Sequence, residues 1–194
     1  MPKIHTKTLA EQREWRRNQL IDAAASIALE SGAKSLTVSA VSKRAGVSRT
    51  AVYEYFATTA DLVAELVNQE LTTYADFLAA ACSQEVSAIN KIDAWLKAGL
   101  SYVADGRHLL IKALNATSYP EARHAEIALA HRQLLSPLQD ALLSLGISDQ
   151  AVFDYIKAIS DAAAIRIEQG YPAEIEIENA SNFLIAGIRA ASGN

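Results

Sequence analysis

The stretch from Thr37 to Phe56, TVSAVSKRAGVSRTAVYEYF, decides the fold of this chain. Its first half places apolar residues at i, i+3 and i+7, which predicts a short amphipathic helix with Thr37 as its N-cap. Gly46 then permits the left-handed backbone with which many helices end. Ser48 suits the N-cap of a second helix that turns Phe56 inward. The stretch therefore predicts a helix-turn-helix.

The outward face of the second helix carries Arg49, Thr50, Tyr53 and Tyr55, a set suited to double-stranded DNA. A guanidinium can bond two acceptors of guanine, a threonine can contact base edges, and a phenol can bond phosphate. The alternative is a helical hairpin in an ordinary core, because a Gly turn between short helices is common. A core helix does not need Arg, Thr and two Tyr on its free face, so the pattern favours DNA binding.

The run AGVSRTAVYEYF followed by ATTADLV resembles the signature of the TetR family of one-component transcriptional regulators. The likeness covers about the first third of the chain, from Arg13 to Leu66, and Tyr53 and Phe56 match the family's Tyr and Phe. The family position that usually holds a phosphate-contacting Lys is Thr59 here. The resemblance therefore implies that one contact with the DNA backbone is lost. Only a neutral hydroxyl or a helix N-terminal amide can replace it.

Charge is divided unevenly along the 194 residues, whose net charge is −4. Up to Phe56, nine Lys and Arg stand against five acids, which gives +4; the remainder carries nine bases and seventeen acids, which gives −8. A basic head on an acidic body indicates nucleic-acid binding confined to one end, the alternative being a merely solvated basic terminus. The expected DNA contacts are Arg16, Arg17, Thr37, Arg44, Ser48, Arg49, Thr50, Ala51, Tyr53, Tyr55 and Thr59.

The composition predicts an all-α protein, because 51% of the residues are hydrophobic and Gly and Pro are few. The sequence has neither a long uncharged apolar run nor an apolar N-terminus, so we expect no membrane span and no signal peptide. Cys82 is the single cysteine, which excludes an internal disulfide. We therefore expect a cytoplasmic protein.

Helical periodicity and breaks at Gly and Pro predict nine helices, three in the head and six in the body. The family resemblance implies the same architecture. We expect a DNA-binding domain over residues 1–57 and an effector-binding and dimerisation domain over residues 58–194. The body carries no family signature, so its function is argued from residue types.

Small residues on the last two helices let backbones approach closely, which favours a four-helix bundle made from two copies. The same faces can instead pack inside one monomer, and resemblance to a dimeric family favours the homodimer. Two-fold symmetry presents two recognition helices to successive major grooves, so the expected partner is double-stranded DNA with an inverted-repeat operator. The expected dimerisation residues are Ala158, Ile159, Ala162, Ala163, Leu184, Gly187 and Ala191.

Trp95, Gly99 and Tyr102 fall on one stripe of the fifth helix, where a mid-helix Gly costs about 1 kcal/mol against Ala. Close approach of another backbone is the preferred explanation, because aromatic stripes at helical spacing are usually core; space for a ligand is the other. If the family's ligand control holds, a small, largely apolar effector binds among helices four to seven. The candidate lining residues are Phe77, Trp95, Tyr102, His108, Asn115, Tyr119 and His131.

Catalytic and metal chemistry find little support in the sequence. Glu121 with His124, and Asp105 with His108, have the i, i+3 spacing of helical metal sites, but the further carboxylates such sites need are lacking. No nucleophile motif, phosphate loop or Cys-x-x-Cys occurs, so we expect no enzyme, no metal and no cofactor. Two functions remain: a repressor released from DNA by a small molecule, and an effector-independent DNA-binding dimer or activator whose body only dimerises or recruits a partner.

Overall fold

The computed structural model describes residues 8–114 and 120–192. Within these ranges the regular structure consists of nine α-helices and one 3₁₀ turn (Ala33–Ser35), with no strand, so the predicted all-α class is confirmed. The helices are α1 (Leu9–Ser31), α2 (Val38–Ala45), α3 (Arg49–Tyr53), α4 (Thr59–Ser83), α5 (Ala88–Ala104), α6 (Leu109–Leu114), α7 (Glu121–Ser144), α8 (Gln150–Glu168) and α9 (Ala173–Ala191).

The described residues form two compact units. The first takes its residues from 1–69 and 110–127, and the second from 70–109 and 128–194. The first unit is thus larger than the region 1–57 expected to bind DNA, because it also includes the start of α4, α6 and the start of α7. The functional boundary at residues 57 and 58 stays a prediction.

The core of the first unit is built from side chains of α1, α2 and the segment around α3. Ala24, Val41 and Val52 are fully buried, and Leu20 and Phe56 are nearly so. Burying one Val, Leu or Phe in this way contributes about 1.5–3 kcal/mol relative to leaving it exposed. This packing holds the helix-turn-helix against α1.

Helix α3 is shorter than predicted, since it ends at Tyr53 rather than reaching Phe56. The amides of Tyr55 and Phe56 both donate to the carbonyl oxygen of Val52, each at 3.0 Å, so the chain tightens into a turn. Phe56 remains buried within that turn and Tyr55 is half-buried. The inward position of Phe56 is therefore as predicted, but a turn rather than a helix achieves it.

The core of the second unit joins the later part of α4 with α5, α7, α8 and α9. Leu78, Ile92, Leu96, Ile156 and Leu184 are among its most deeply buried side chains. The ends of these helices follow local capping rules. The Ser87 hydroxyl accepts the Asn90 amide at the start of α5, and an Asp149 carboxylate oxygen accepts the Ala151 amide at the start of α8.

The single thiol of the chain belongs to this second core. Cys82 is buried near the end of α4, where its sulfur donates to the carbonyl oxygen of Lys91 at 3.5 Å. Burial raises the pKa of the Cys82 thiol, although the Lys91 charge acts in the opposite direction. The thiol is therefore held protonated, and little of it is accessible to solvent.

Pro137 lies inside α7, which continues on both sides of it. Proline has no amide proton, so the carbonyl of Gln133 loses its usual partner one turn later. The Ser136 hydroxyl donates to that carbonyl at 3.2 Å. The next carbonyl, of Leu134, accepts the indole N–H of Trp95 at 3.1 Å, which ties α7 to α5. A side-chain hydroxyl thus satisfies the carbonyl that the proline leaves without an amide partner.

Candidate functional site

The turn between α2 and α3 is fixed by two caps and a glycine. The Thr37 hydroxyl accepts the Ala40 amide, and the Ser48 hydroxyl accepts the Ala51 amide, each at 3.1 Å. Gly46 has φ 69° and ψ 29°, a left-handed conformation that residues with a Cβ resist. Because each capping hydroxyl accepts a bond from an amide, its own O–H proton remains available to a phosphate oxygen.

The exposed face of α3 consists of Arg49, Thr50 and Tyr53, the last with 56% of its surface accessible. The Arg49 guanidinium donates to the Ser39 hydroxyl of α2 at 2.8 Å, which holds the arginine along the outer surface. Of the other side chains expected to touch DNA here, Ala51 and Tyr55 are half-buried. Fewer side chains are therefore accessible on this face than were predicted to contact DNA.

Arg44 is exposed, but its guanidinium is paired with side chains of α1. Its two terminal nitrogens donate to the two carboxylate oxygens of Glu30 at 2.9 and 2.6 Å, and one of them also donates to the Ser26 hydroxyl. The hydrogen bond from Arg44, with a smaller one from Ser26, lowers the pKa of the Glu30 carboxyl. Arg44 thus links α2 to α1, and its contact with DNA stays a prediction.

The neighbouring arginines of α1 differ in their surroundings. Arg16 is exposed, on the rim of a groove that also includes Arg13 and Tyr55. Arg17 is half-buried: it pairs with Glu65 of α4, and its guanidinium lies 5.9 Å from the centre of the Phe56 ring. Arg16 is therefore the better placed of the two to reach a phosphate.

Glu65 is a nearly buried carboxylate shared by two guanidiniums. Besides the pair with Arg17, one of its oxygens accepts a bond from Arg123 of α7 at 2.8 Å. Burial acts to raise the pKa of Glu65, but the hydrogen bonds from Arg123 and Arg17 outweigh it, and the pKa lies below its ordinary value. The carboxylate therefore joins α1, α4 and α7 within the first unit.

The start of α4 replaces the family's lysine with a capping arrangement. The Thr58 hydroxyl accepts the Asp61 amide, and an Asp61 carboxylate oxygen accepts the Thr58 amide, each at 3.0 Å. Because the Thr58 hydroxyl also donates to Asp61 at 2.8 Å, the partly exposed Thr59 is the better remaining candidate for a phosphate contact.

Two exposed cations of the first unit, Lys43 and Arg13, are absent from the predicted DNA contacts. The signal for Lys43 was its place among the basic residues at the end of the first helix of the motif.

The second unit contains a cavity of about 310 Å³ whose wall is mostly apolar. It is bounded by α4, α5, α7 and α8, and the three leucines from α7 flank Pro137 on either side. The lining residues are Tyr74, Trp95, Leu96, Gly99, Leu100, Val103, Leu134, Leu135, Leu138, Phe153, Lys157, Ser160, Asp161 and Ala164. Its volume falls in the range of small-molecule pockets.

Gly99 borders this cavity, and the reason for its missing side chain differs from the preferred prediction. A Cβ at this position would lie 3.1 Å from the Tyr74 hydroxyl oxygen and 3.9 Å from a methyl carbon of Leu78. No other backbone approaches within 4 Å, so the prediction of close backbone packing is wrong. The glycine instead leaves room for a phenol hydroxyl at the edge of the cavity.

Among the predicted ligand contacts that the structure describes, Trp95 lines the cavity and the others lie elsewhere. Tyr102 is buried, with its ring stacked 4.3 Å from that of Tyr74 and 5.6 Å from that of Phe77. His108 pairs with a carboxylate oxygen of Glu168 at 2.7 Å, and His131 is exposed. These side chains pack on one another or face outward, and so they do not bound the cavity. Asn115 and Tyr119 lie outside the described residues.

The predicted dimerisation residues divide between surface and core. Leu184 is only 2% exposed and packs inside the second unit, so its predicted place at the interface is wrong. Ala163 is buried at the floor of a groove between α8 and α9, and Ile159 is half-buried. The remaining small residues are exposed: Ala158, Ala162, Gly187 and Ala191. Phe183, which sequence reasoning did not select, borders this groove with 76% of its surface exposed.

The sequence of the helix-turn-helix region matches a family of known proteins. Residues 20–66, from the middle of α1 to the first part of α4, match the family model described as bacterial regulatory proteins, tetR family. The helix-turn-helix segment of this chain therefore has the sequence of a TetR-type DNA-binding region. The matched family consists of bacterial regulatory proteins. Among curated proteins, none matches the sequence.

Solved structures share the fold of this chain at low sequence identity. A transcriptional regulator from Pseudomonas aeruginosa gives a TM-score of 0.75 at 17% identity, over 92% of this chain and 93% of the other. A TetR-family regulator from Streptomyces coelicolor gives 0.72 at 16%, over 91% and 90%. FadR from Bacillus subtilis, solved in complex with stearoyl-CoA, gives 0.69 at 20%, over 88% and 98%. At such identities the likeness shows the fold alone.

The described helices and side chains offer neither a membrane span nor a metal cluster. Of the helices within residues 8–114 and 120–192, none has the length and apolar character needed to cross a bilayer. In the same ranges, three or more His, Cys, Asp or Glu side chains do not come together as a candidate metal site.

Proposed function

We propose that this chain is a dimeric repressor of the TetR family, which leaves an inverted-repeat operator when a small molecule enters the cavity of the second unit. The observation that carries the proposal is the cavity of about 310 Å³, lined mainly by apolar side chains of four helices. A body that serves only to dimerise or recruit a partner needs no such space, and its core is expected to be filled. The cavity therefore favours effector control over the effector-independent alternative.

The DNA-reading part of the proposal rests on side chains that remain accessible. Arg49, Thr50 and Tyr53 supply base-edge contacts from α3, while Arg16 and the capping hydroxyls contact the phosphate backbone. Arg44 and Arg17 act mainly by holding α1, α2 and α4 together, because their guanidiniums are already paired with Glu30 and Glu65.

The dimeric part of the proposal rests on the surface of α8 and α9. The groove between them is bordered by Ala162 and Phe183 and has a small-residue floor at Ala163 and Ala180. Small residues permit close approach of a second pair of helices, and an exposed aromatic ring supplies apolar area to bury. A two-fold dimer then presents two α3 helices to DNA half-sites about one helical turn apart.

The coupling part of the proposal rests on α4, a continuous helix from Thr59 to Ser83. It carries Glu65 in the first unit and Tyr74 in the wall of the cavity. A ligand that displaces α4 changes the spacing of the two DNA-binding heads. Weakening operator binding about 100-fold requires about 2.7 kcal/mol of differential ligand affinity between the two states. The FadR structure, with stearoyl-CoA bound, supports the view that this fold accommodates a ligand.

The test is a two-step selection with the purified full-length chain. Duplexes bound from a random pool should share an inverted repeat with a fixed spacing between half-sites. Small molecules are then screened for release of the selected duplex, measured by fluorescence anisotropy of labelled DNA. An inverted repeat that no molecule releases, together with binding unchanged by obstruction of the cavity through Ala164→Trp, would favour the effector-independent alternative. An absence of preference among duplexes would contradict the proposed function altogether.

A further inference from the structure

The polar groups around the cavity are satisfied by the chain itself, with one exception. The Lys157 ammonium donates to an Asp161 carboxylate oxygen at 2.6 Å, and both side chains are exposed at the α8 wall. The Ser160 hydroxyl donates to the Ile156 carbonyl oxygen at 2.9 Å, and the Trp95 indole N–H donates to Leu134. These groups leave no unpaired cation among the lining residues.

The exception is the phenol of Tyr74. Its ring is stacked on Tyr102, and its hydroxyl oxygen lies against Gly99, where even a methyl group would be only 3.1 Å away. Among the described residues the Tyr74 hydroxyl makes no hydrogen bond, although it belongs to the wall of the cavity. A phenol hydroxyl at the wall of a mostly apolar cavity loses any bond to water when a ligand fills the space, so a ligand that supplies a replacement partner gains affinity there.

The protonation of Tyr74 determines what that partner is. Burial, with a smaller contribution from the neighbouring Tyr102, raises the pKa of Tyr74 to about 12. At neutral pH the phenol therefore keeps its proton and offers an O–H donor. A phenol O–H is a stronger donor than the phenol oxygen is an acceptor, so the best complementary group is an oxygen acceptor on the ligand.

Resting on the effector-responsive function proposed above, we propose that the effector is an uncharged, mostly apolar molecule with one oxygen acceptor that receives a hydrogen bond from the Tyr74 hydroxyl. Ketones, esters and ethers are of this class. A carboxylate or phosphate has to give up its hydration, and the only lysine at the cavity is already paired with Asp161. A wall that is almost entirely apolar accepts the rest of the molecule.

The experiment compares three probes of equal chain length: 2-octanone, octane and octanoate. Binding is followed by the fluorescence of Trp95 in a Trp15→Phe background, since Trp95 lines the cavity and the chain has two tryptophans. We expect 2-octanone to bind about three- to tenfold more tightly than octane, because it gains one net hydrogen bond. Octanoate is expected to bind most weakly at pH 7.

Tyr74→Phe is the decisive variant. It should reduce the affinity for 2-octanone to that for octane, and leave octane binding unchanged. Tyr155→Phe, at an exposed tyrosine of α8 outside the cavity, is the matched control and should keep the preference for the ketone. Gly99→Ala is a second variant that retains the Tyr74 hydroxyl but displaces it, and it should lessen the same preference. Thermal unfolding establishes that each variant is folded.

Three results would overturn the proposal: tighter binding of octanoate than of 2-octanone, a ketone preference that survives Tyr74→Phe, or no binding of any probe. Each is measured without DNA and is therefore separate from repressor activity. If 2-octanone binds as expected but does not release the selected duplex, the ligand class stands and effector control by this cavity fails. If octanoate both binds and releases DNA, effector control stands and the ligand class is wrong.

Discussion

Single side chains in the first unit divide into those that hold the domain together and those that remain free for DNA. Arg17 and Arg44 each pair with a carboxylate on another helix, whereas neither Arg16 nor Arg49 pairs with a carboxylate among the described residues and both are exposed. Because an arginine already paired with a carboxylate has less to gain from a phosphate, their substitutions should have different consequences.

Arg49→Ala should weaken binding to the selected duplex by about 1–3 kcal/mol and relax preference at one base position. The physical reason is the loss of a bidentate donor on the exposed face of α3. The measurement is a binding titration against the duplex and its single-base variants. Ser39→Ala is the control: it removes the hydrogen bond to Arg49 but keeps the guanidinium, so its effect should be smaller. Unchanged base preference would remove Arg49 from the reading surface.

Arg16→Ala should lower the affinity for all duplexes alike. The slope of log affinity against log salt concentration should decrease by the amount expected for about one phosphate contact. Arg17→Ala should instead destabilise the first unit by about 1–3 kcal/mol, because it removes one of the two cations bonded to Glu65. Salt titrations of DNA binding and denaturant unfolding separate the two effects. A loss confined to the selected duplex would contradict the phosphate assignment of Arg16.

Glu65 makes stability depend on pH in a definite direction. The pKa of this carboxyl is lowered in the folded chain, so its contribution is present above the unfolded value of about 4.3 and is lost as pH falls through the folded value. In the wild type the free energy of unfolding should therefore fall as pH drops below about 4.3, and in Glu65→Gln it should fall less. Urea unfolding at a series of acid pH values measures this. Parallel curves for the two proteins would show that the carboxylate does not stabilise the fold by its charge.

At the scale of elements, capping residues and apolar periodicity predict where most helices begin and end. The Thr37 and Ser48 caps and the glycine between them are local features, so the sequence alone identifies the helix-turn-helix. Side-chain partners distant along the chain are a different matter: Glu30 lies 14 residues from Arg44, and no periodic pattern links them. The shortening of α3 likewise depends on how Phe56 is buried by its surroundings.

Gly46→Ala tests the turn between α2 and α3. Nothing lies within 4 Å of the position a Cβ would take, so the cost is the backbone conformation itself, about 1–2 kcal/mol of unfolding free energy. Gly46→Asn is the matched comparison and should cost less, because asparagine tolerates the left-handed region better. Chemical denaturation measures both variants. Equal stability of the wild type and the alanine variant would contradict the strain argument.

At the scale of the whole molecule, the sequence predicted the DNA-binding region but did not predict which residues line the cavity. The head carries its function in contiguous sequence, whereas the cavity is bounded by residues of four helices. Trp95 was identified from its stripe on one helix, but Tyr74 has the sequence context of an ordinary core residue. Phe77 and Tyr102 were expected to contact ligand, yet they fill the core beside Tyr74. Which aromatic rings pack and which leave space is settled by tertiary structure.

Phe183→Asp tests the proposed dimer at this scale. The exposed ring borders the α8–α9 groove, so a charge there should weaken self-association at least tenfold, by leaving a charge without a partner in the interface. Sedimentation equilibrium measures the association constant. Phe183→Leu, which keeps the apolar surface, is the control and should remain associated. An aspartate variant that associates as tightly as the wild type would place the interface elsewhere.

The buried thiol makes the second unit a reporter of its own motions. Because Cys82 is the only cysteine, is only 5% exposed and keeps its proton, an alkylating reagent should modify the chain mainly during transient openings of that core. The alkylation rate therefore gives the population of the open form, without any engineered label. Occupancy of the neighbouring cavity should slow that rate by the factor with which the occupant favours the closed state.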